Sequence, residues 1–188
     1  MSINRFQNYY RIESARAQWH DYDGGAYFVT FCTDHRECFF GEIVENNGCN
    51  QMCMSEIGKC ACSTIEEASK HNLYASIPSY VVMPNHVHLI AVVEMQPSIE
   101  TVHHEQNRWK NNDVDKRMQM ISSRKNKLSF LVGNIKSNIT RIANQNGIVF
   151  GWQTRFYDYI IRNVDELNRI ANYIDNNVAN WKTDRFYR

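Results

Sequence analysis

Apolar and polar positions divide this chain into short strands and amphipathic helices. Gly25-Ala-Tyr-Phe-Val-Thr-Phe-Cys-Thr33 is dense in β-branched and aromatic residues and predicts a strand. Phe39 to Val44 predicts a second, and Asn47-Gly48 a tight turn that returns the chain through Cys49–Met54. Ser55 is placed to cap a helix running to about Lys70. An apolar run from Tyr80 to Val93 follows Pro78 and predicts a strand, with Leu89–Val93 either its continuation or its hairpin partner after a bulge. Residues 95–123 are polar, charged and unpatterned, so a mobile insertion is expected there. Leu128, Leu131, Val132, Ile135, Ile139 and Ile142 recur at helical spacing, and Asn146-Gly147 is a fitting stop. The other face of that helix carries Asn134, Asn138 and Arg141. Phe156 to Arg162 predicts a last strand. Asp165 then opens a helix whose stripe is Leu167, Ile170, Ala171, Ile174 and Val178. Residues 1–24 show no clear period, and no internal repeat is present.

The apolar run carries the first chemistry. His86 and His88 are two apart, and on a strand such residues share a face. Two imidazoles held side by side are a candidate metal site. Tyr173 and Asn177 lie one turn apart on the final helix, with Arg169 a turn before them. An amide oxygen from Asn177 would complete a two-histidine, one-amide site beside a tyrosine nucleophile, and a divalent ion there would polarise a phosphoryl oxygen. The bland alternative makes Tyr173 a rim residue and Asn177 a helix C-cap. Tyr157 and Tyr159 fall on the last strand and read as packing residues. Arg155 and Arg162 either grip phosphate or pair with Asp158. No Gly-rich phosphate loop, GxSxG elbow or two-metal carboxylate motif occurs.

A length of 188 residues fits one domain with a sizeable core. The net charge of +1 conceals an asymmetry: residues 1–104 hold 6 Lys/Arg against 12 Asp/Glu, and residues 105–188 hold 15 against 8. A basic second half attracts phosphate, although a solvated charged surface explains the same count. Lys136, Arg141, Arg155, Arg162 and Arg169 are the candidate contacts to phosphate. All six cysteines fall between Cys32 and Cys62, and the spacing of Cys49, Cys53, Cys60 and Cys62 is not a usual zinc ribbon. Small buried hydrophobes are their expected role. No apolar run approaches the roughly 18 residues of a membrane span, and the first residues are not a signal peptide. A cytoplasmic protein without a membrane partner is expected.

Met-Pro-Asn-His-Val-His-Leu-Ile at 83–90 resembles the histidine–hydrophobe–histidine motif of the single-tyrosine HUH transposases. Gly25–Thr33 resembles the first strand of their REP-associated branch, and Arg155–Asn163 with the following helix through Asn177 resembles their last strand and catalytic helix. The likeness covers most of residues 10–182, apart from the polar loop. It implies a single ferredoxin-like α+β domain with the histidines on a central strand. It implies a tyrosine that cleaves single-stranded DNA near hairpins, leaving a 5′-phosphotyrosine and a free 3′-OH. Carried over by position, His86, His88 and Asn177 hold magnesium or manganese and Tyr173 attacks. Val178 stands where the family commonly has proline. Two other activities stay open: a domesticated DNA-hairpin-binding protein with little strand transfer, and a metal-dependent nuclease that uses water. Both a homodimer, as in the wider family, and a monomer, as in the REP-associated branch, stay open too.

Overall fold

The computed structural model describes residues 24–93 and 127–187, together with the backbone of two short N-terminal strands, β1 (Arg5–Phe6) and β2 (Tyr9–Tyr10). The segment expected as an insertion, 95–123, lies outside the described residues. The elements that follow β2 are β3 (Gly25–Cys32), β4 (Gly41–Asn46), β5 (Cys49–Met54), α1 (Glu56–His71), β6 (Ala75–Met83), β7 (His86–Val93), α2 (Lys127–Gln145), β8 (Tyr157–Ile161) and α3 (Val164–Asp175).

β6, β7, β3 and β8 form one antiparallel sheet in that spatial order. With α1 and α2 as crossovers, the order is that of a ferredoxin-like β-α-β-β-α-β domain of the α+β class. β4 and β5 form a separate hairpin inserted between β3 and α1. Its turn places Asn47 at φ 51° and Gly48 at φ 79°, the left-handed pair that such a turn demands. Gly58 lets α1 pass the preceding loop, since a Cβ there would lie 2.1 Å from the Phe40 carbonyl oxygen. Ser55 caps α1, its hydroxyl accepting from the Gly58 N–H at 3.1 Å.

The sheet separates two environments. Tyr27, Val29 and Phe31 of β3 and Val87, Leu89 and Ala91 of β7 point to one face. There they pack on Ile57, Ala61 and Ile65 of α1 and on Leu128, Leu131, Val132, Ile135 and Ile139 of α2. Ala143, rather than the expected Ile142, completes the buried stripe of α2. The intervening residues face the other way. Ile90 and Ile161 meet Ile170 and Ile174 of α3. Cys32 and Met83 meet Trp181 and Phe186 of the segment that follows α3.

Three expectations need correction. The run from Tyr80 to Val93 is two strands, not one, because Pro84-Asn85 turn the chain between β6 and β7. Pro78 lies inside β6, an edge strand, beside a register irregularity between Ser76 and Ser79 where a missing N–H is tolerated. The cysteines are not a buried set: Cys32 is buried, Cys60 and Cys62 are half-buried, and Cys38, Cys49 and Cys53 are exposed. Nor does Asp165 open the last helix. Its N-cap is Asn163, whose side chain accepts from the Glu166 N–H at 2.8 Å.

Candidate metal and nucleophile site

β7 begins with the two histidines because the Pro84-Asn85 turn leaves it there, and strand alternation sends both rings to the face away from α1 and α2. They are buried, with ring centroids 4.5 Å apart. Opposite them on β3 stand Cys32 and Thr30. The Thr30 hydroxyl lies 2.7 Å from His88 Nδ1.

The hydrogen-bond network assigns the His86 tautomer. Asn85 Nδ2 donates to the Phe186 carbonyl at 2.9 Å, so its Oδ1 is the atom that faces His86 Nδ1 at 2.8 Å. An amide oxygen only accepts, so Nδ1 carries the hydrogen and Nε2 presents a lone pair. That Nε2 is buried without a hydrogen-bond partner. A metal-binding histidine usually donates its other ring N–H to an oxygen in this way, which fixes the ring and its tautomer.

α3 brings up the remaining groups. Its stripe seats Ile170 and Ile174 on the sheet and leaves Tyr173 at the edge, 42% exposed. Tyr173 Oη lies 3.2 Å from His88 Nε2 and donates to Asp184 Oδ2 at 3.0 Å. Phe28 meets the Tyr173 ring edge-on at a centroid distance of 6.0 Å. The helix C-cap is Asn176, not Asn177. Asn177 turns inward instead, 1% exposed, and its Nδ2 donates to Asp184 Oδ2 at 3.2 Å. Its Oδ1 is the second buried polar atom without a partner. Val178 packs against the cluster of Cys32, Met83, Trp181 and Phe186, which holds the chain just past Asn177.

Two buried acceptors with no hydrogen to accept are costly, and a cation would satisfy both. The donor set therefore fits a divalent ion. Among the described residues, the one group of three or more histidine, cysteine or acidic side chains close enough to hold an ion is His86, His88 and Asp184, whose ligand atoms lie within 4.8 Å of one another. No such group includes the cysteines. Asp184 was not visible in the sequence. It sits after the 3-10 turn Trp181–Thr183, in a segment without periodicity, and nothing local sets it apart from other surface acids. Its Oδ1 accepts from the Phe186 N–H at 2.7 Å, which fixes the carboxylate.

Burial holds both imidazoles neutral: it lowers His86 to about 3 and His88 to about 2, with Arg185 adding to both shifts. Neutral imidazole is the form that binds metal. Burial, and then the Asp184 charge, push Tyr173 up to about 12, so its hydroxyl is protonated in the absence of a cation.

The basic candidates fall in different places. Arg169 and Arg162 gather around Glu166: the Arg169 guanidinium is 3.9 Å from its carboxylate, and the Arg162 N–H donates to it at 2.8 Å. Tyr159 also donates to Glu166, which makes it part of the β8–α3 junction. Arg141 lies on α2, in the layer across the sheet from the histidines, and bonds Gln145 at 3.3 Å. Lys136 is tied to the backbone, donating to the Gln153 carbonyl at 2.9 Å and the Arg155 carbonyl at 3.4 Å, with its ammonium 5.4 Å from the Trp152 ring centre. Arg155 stands near the histidine face at φ 144°, a conformation that favours glycine. Arg36 and Arg185, which no sequence pattern singles out, lie over the Phe186 ring at 5.2 and 4.6 Å. Phe186 in turn packs on His86, with centroids 4.5 Å apart. Guanidinium charge thus borders the histidines.

No family model matches the chain. It is 29% identical over 164 residues to an uncharacterized protein of Haemophilus influenzae, spanning 87% of this chain and 85% of that protein. Its fold is similar to that of a REP-associated tyrosine transposase solved bound to a REP hairpin, with a TM-score of 0.54 and 17% identity, over 88% of this chain and 72% of that one. That likeness establishes a shared fold. No helix among the described residues is long and apolar enough to cross a membrane.

Proposed function

We propose that the protein is a metal-dependent transposase of the REP-associated tyrosine type, which cleaves single-stranded DNA near a hairpin. The observation that carries this reading is the meeting of Tyr173 Oη with His88 Nε2 at 3.2 Å, beside two partnerless buried acceptors, His86 Nε2 and Asn177 Oδ1. A solved transposase of the same fold holding a hairpin supports the choice of substrate.

His86, His88 and the oxygens of Asn177 and Asp184 would hold the ion. Magnesium or manganese, when bound, supplies charge that polarises a phosphoryl oxygen. Imidazole among the donors favours manganese over magnesium. Tyr173 Oη attacks phosphorus, and its proton passes to Asp184, which already accepts that hydrogen. The bond from phosphorus to the 3′ oxygen breaks, and that oxygen leaves as a hydroxyl after taking a proton from solvent. The bond energy is kept in the 5′-phosphotyrosine, so no external energy source is needed. Arg185 and Arg36 counter the charge that builds on the phosphoryl oxygens.

One observation favours a second reading. Burial, and after it Asp184, raises the Tyr173 pKa, which suits a structural tyrosine in a nuclease that activates water. A single experiment separates the two. The protein is incubated with manganese and a labelled hairpin bearing a single-stranded tail, and the products are mapped by mass spectrometry. A covalent adduct on Tyr173 is expected. Cleavage without an adduct on any tyrosine would establish the water-using nuclease, and binding without cleavage a hairpin-binding protein.

A further inference from the structure

Beside the histidines, on the same face of the sheet, lies a cavity of about 260 Å³. Thr30, Gln153, Arg155, Tyr157, Arg185 and Phe186 are among the residues that line it. Two of these form the wall shared with the histidines: Thr30 touches His88 Nδ1 at 2.7 Å, and the Phe186 ring packs on both imidazoles. The cavity therefore opens next to the atoms that would react.

Its composition is specific. Arg155, Tyr157 and Arg185 are exposed, and the Arg185 guanidinium lies 5.7 Å from the centre of the Tyr157 ring. An exposed tyrosine at 51% accessibility, one strand away from a buried site, leaves a flat apolar surface in water. Tyr157 pairs across the sheet with Thr30, so the ring rises directly beside the histidine wall. The turn that presents Arg155 is strained and yet held. Its φ of 144° is unusual for a side chain larger than glycine, and Lys136 reaches across from α2 to bond the carbonyls of Gln153 and Arg155. Strain that the surroundings over-determine in this way gathers where a side chain must be aimed. Lys136 thus acts inward as a strut, which a reading of its charge alone does not reveal.

We propose that this cavity is a subsite for one nucleotide of a DNA single strand adjoining the scissile phosphate, with its base stacked on Tyr157 and its phosphate held between Arg155 and Arg185. The inference rests on the reading of the protein as a single-strand DNA transposase and adds where the strand runs. A π-face suits any base, so stacking gives affinity with little sequence preference, while guanidinium groups give the phosphate two donors each. The strand would leave the metal site towards the Gln153–Arg155 turn rather than along α3.

The test uses a fluorescein-labelled hairpin with a single-stranded tail, and a set of the same probe with one abasic site at each tail position. Anisotropy titrations with the full-length wild type should show one tail position whose base removal weakens binding about 5- to 150-fold, the range for one stacked base. Tyr157→Ala should weaken the intact probe by the same factor, and the abasic site at that position should then cost nothing further. Arg185→Ala should make the dependence of log affinity on log salt shallower by about 0.7, the increment for one phosphate contact to a single strand, and Arg185→Lys should restore it. An abasic penalty that persists undiminished in Tyr157→Ala, or an unchanged salt slope in Arg185→Ala, would overturn the subsite. If those variants bind as wild type while the wild type still forms a Tyr173 adduct, the subsite alone falls. If the wild type binds no hairpin, the transposase reading falls and the subsite with it.

Discussion

Neighbouring residues of one strand serve opposite ends in this sheet. On β7, Val87 and Leu89 face α1 and α2 and are sealed in a dry apolar core, while His86 and His88 face the other way and the fold leaves His86 Nε2 unmatched. On β3, Val29 and Phe31 belong to the first face and Thr30 and Cys32 to the second. The helical face fills its space with side chains that have no chemistry. The histidine face instead buries imidazole and amide, and is closed by a C-terminal segment rather than by a crossover helix. A two-residue period lets one rigid strand be anchored by one face while holding ligands on the other. The unmatched His86 Nε2 thus sits on a strand whose other face is anchored in the core, while the unmatched Asn177 Oδ1 comes from the segment just past α3.

The comparison is tested most severely on the core side. Leu89→Ala removes a fully buried side chain between the histidine strand and the helices. A loss of about 2–5 kcal/mol is expected in urea unfolding. The folded fraction should still bind manganese, because Leu89 faces away from the site. Loss of manganese binding at a denaturant-free temperature where the circular dichroism is native would show that the two faces are not separable.

On the other face the expected stability change depends on metal. Manganese at 100 times its Kd should raise wild-type stability by about 2.7 kcal/mol, through binding to the folded state alone. Replacing both His86 and His88 by Ala should abolish that increment, and chelator should make wild type behave as though no metal had been added. An equal manganese-induced rise in melting temperature for wild type and double variant would remove the histidines from the site.

Asn177 sharpens the contrast, because its amide and Asp184 share a hydrogen bond at 3.2 Å. Asn177→Asp keeps an oxygen for the ion but sets two carboxylates together. In chelator the variant should lose about 1–3 kcal/mol, the cost of a lost donor beside the half-buried Asp184 carboxylate. Manganese should return that loss, since a cation between like charges relieves their repulsion. Stability equal to wild type in chelator would mean that the Asn177–Asp184 contact contributes nothing.

Legibility in the sequence follows how local each cause is. The Gly25–Cys32 strand, the Asn47-Gly48 turn and the Ser55 cap are set by neighbours within a few residues, and all three were readable. So was the shared face of His86 and His88, which needs only strand alternation. The break at Pro84-Asn85 was hidden by apolar residues on both sides, because β6 and β7 both have buried positions there. Asp184 was not readable, since the return of the chain after α3 brings it to Tyr173, and that path depends on Trp181 and Phe186 packing under the sheet. Lys136 shows another limit of local reading. Its sequence offers a cation for DNA, and only the tertiary fold supplies the two backbone carbonyls to which its ammonium donates.

The smallest expected change in stability belongs to the residue with the largest expected part in the chemistry. Tyr173→Phe removes one hydroxyl from a side chain that is 42% exposed, and leaves the ring against Phe28. The hydroxyl bonds Asp184 and meets His88, so about 0.5–1.5 kcal/mol is at stake, and water reaching a half-exposed site replaces part of it. With the hydroxyl gone, Asp184 keeps the Asn177 amide and the Phe186 N–H as donors, so no carboxylate is stranded. Manganese affinity should therefore be retained within a few-fold, while the covalent adduct with hairpin DNA disappears. Tyr157→Phe and Tyr159→Phe, measured in parallel, should both keep the adduct. An adduct surviving in Tyr173→Phe would move the nucleophile to another tyrosine, and melting curves of all three variants would show whether the hydroxyl of Tyr173 had been structural after all.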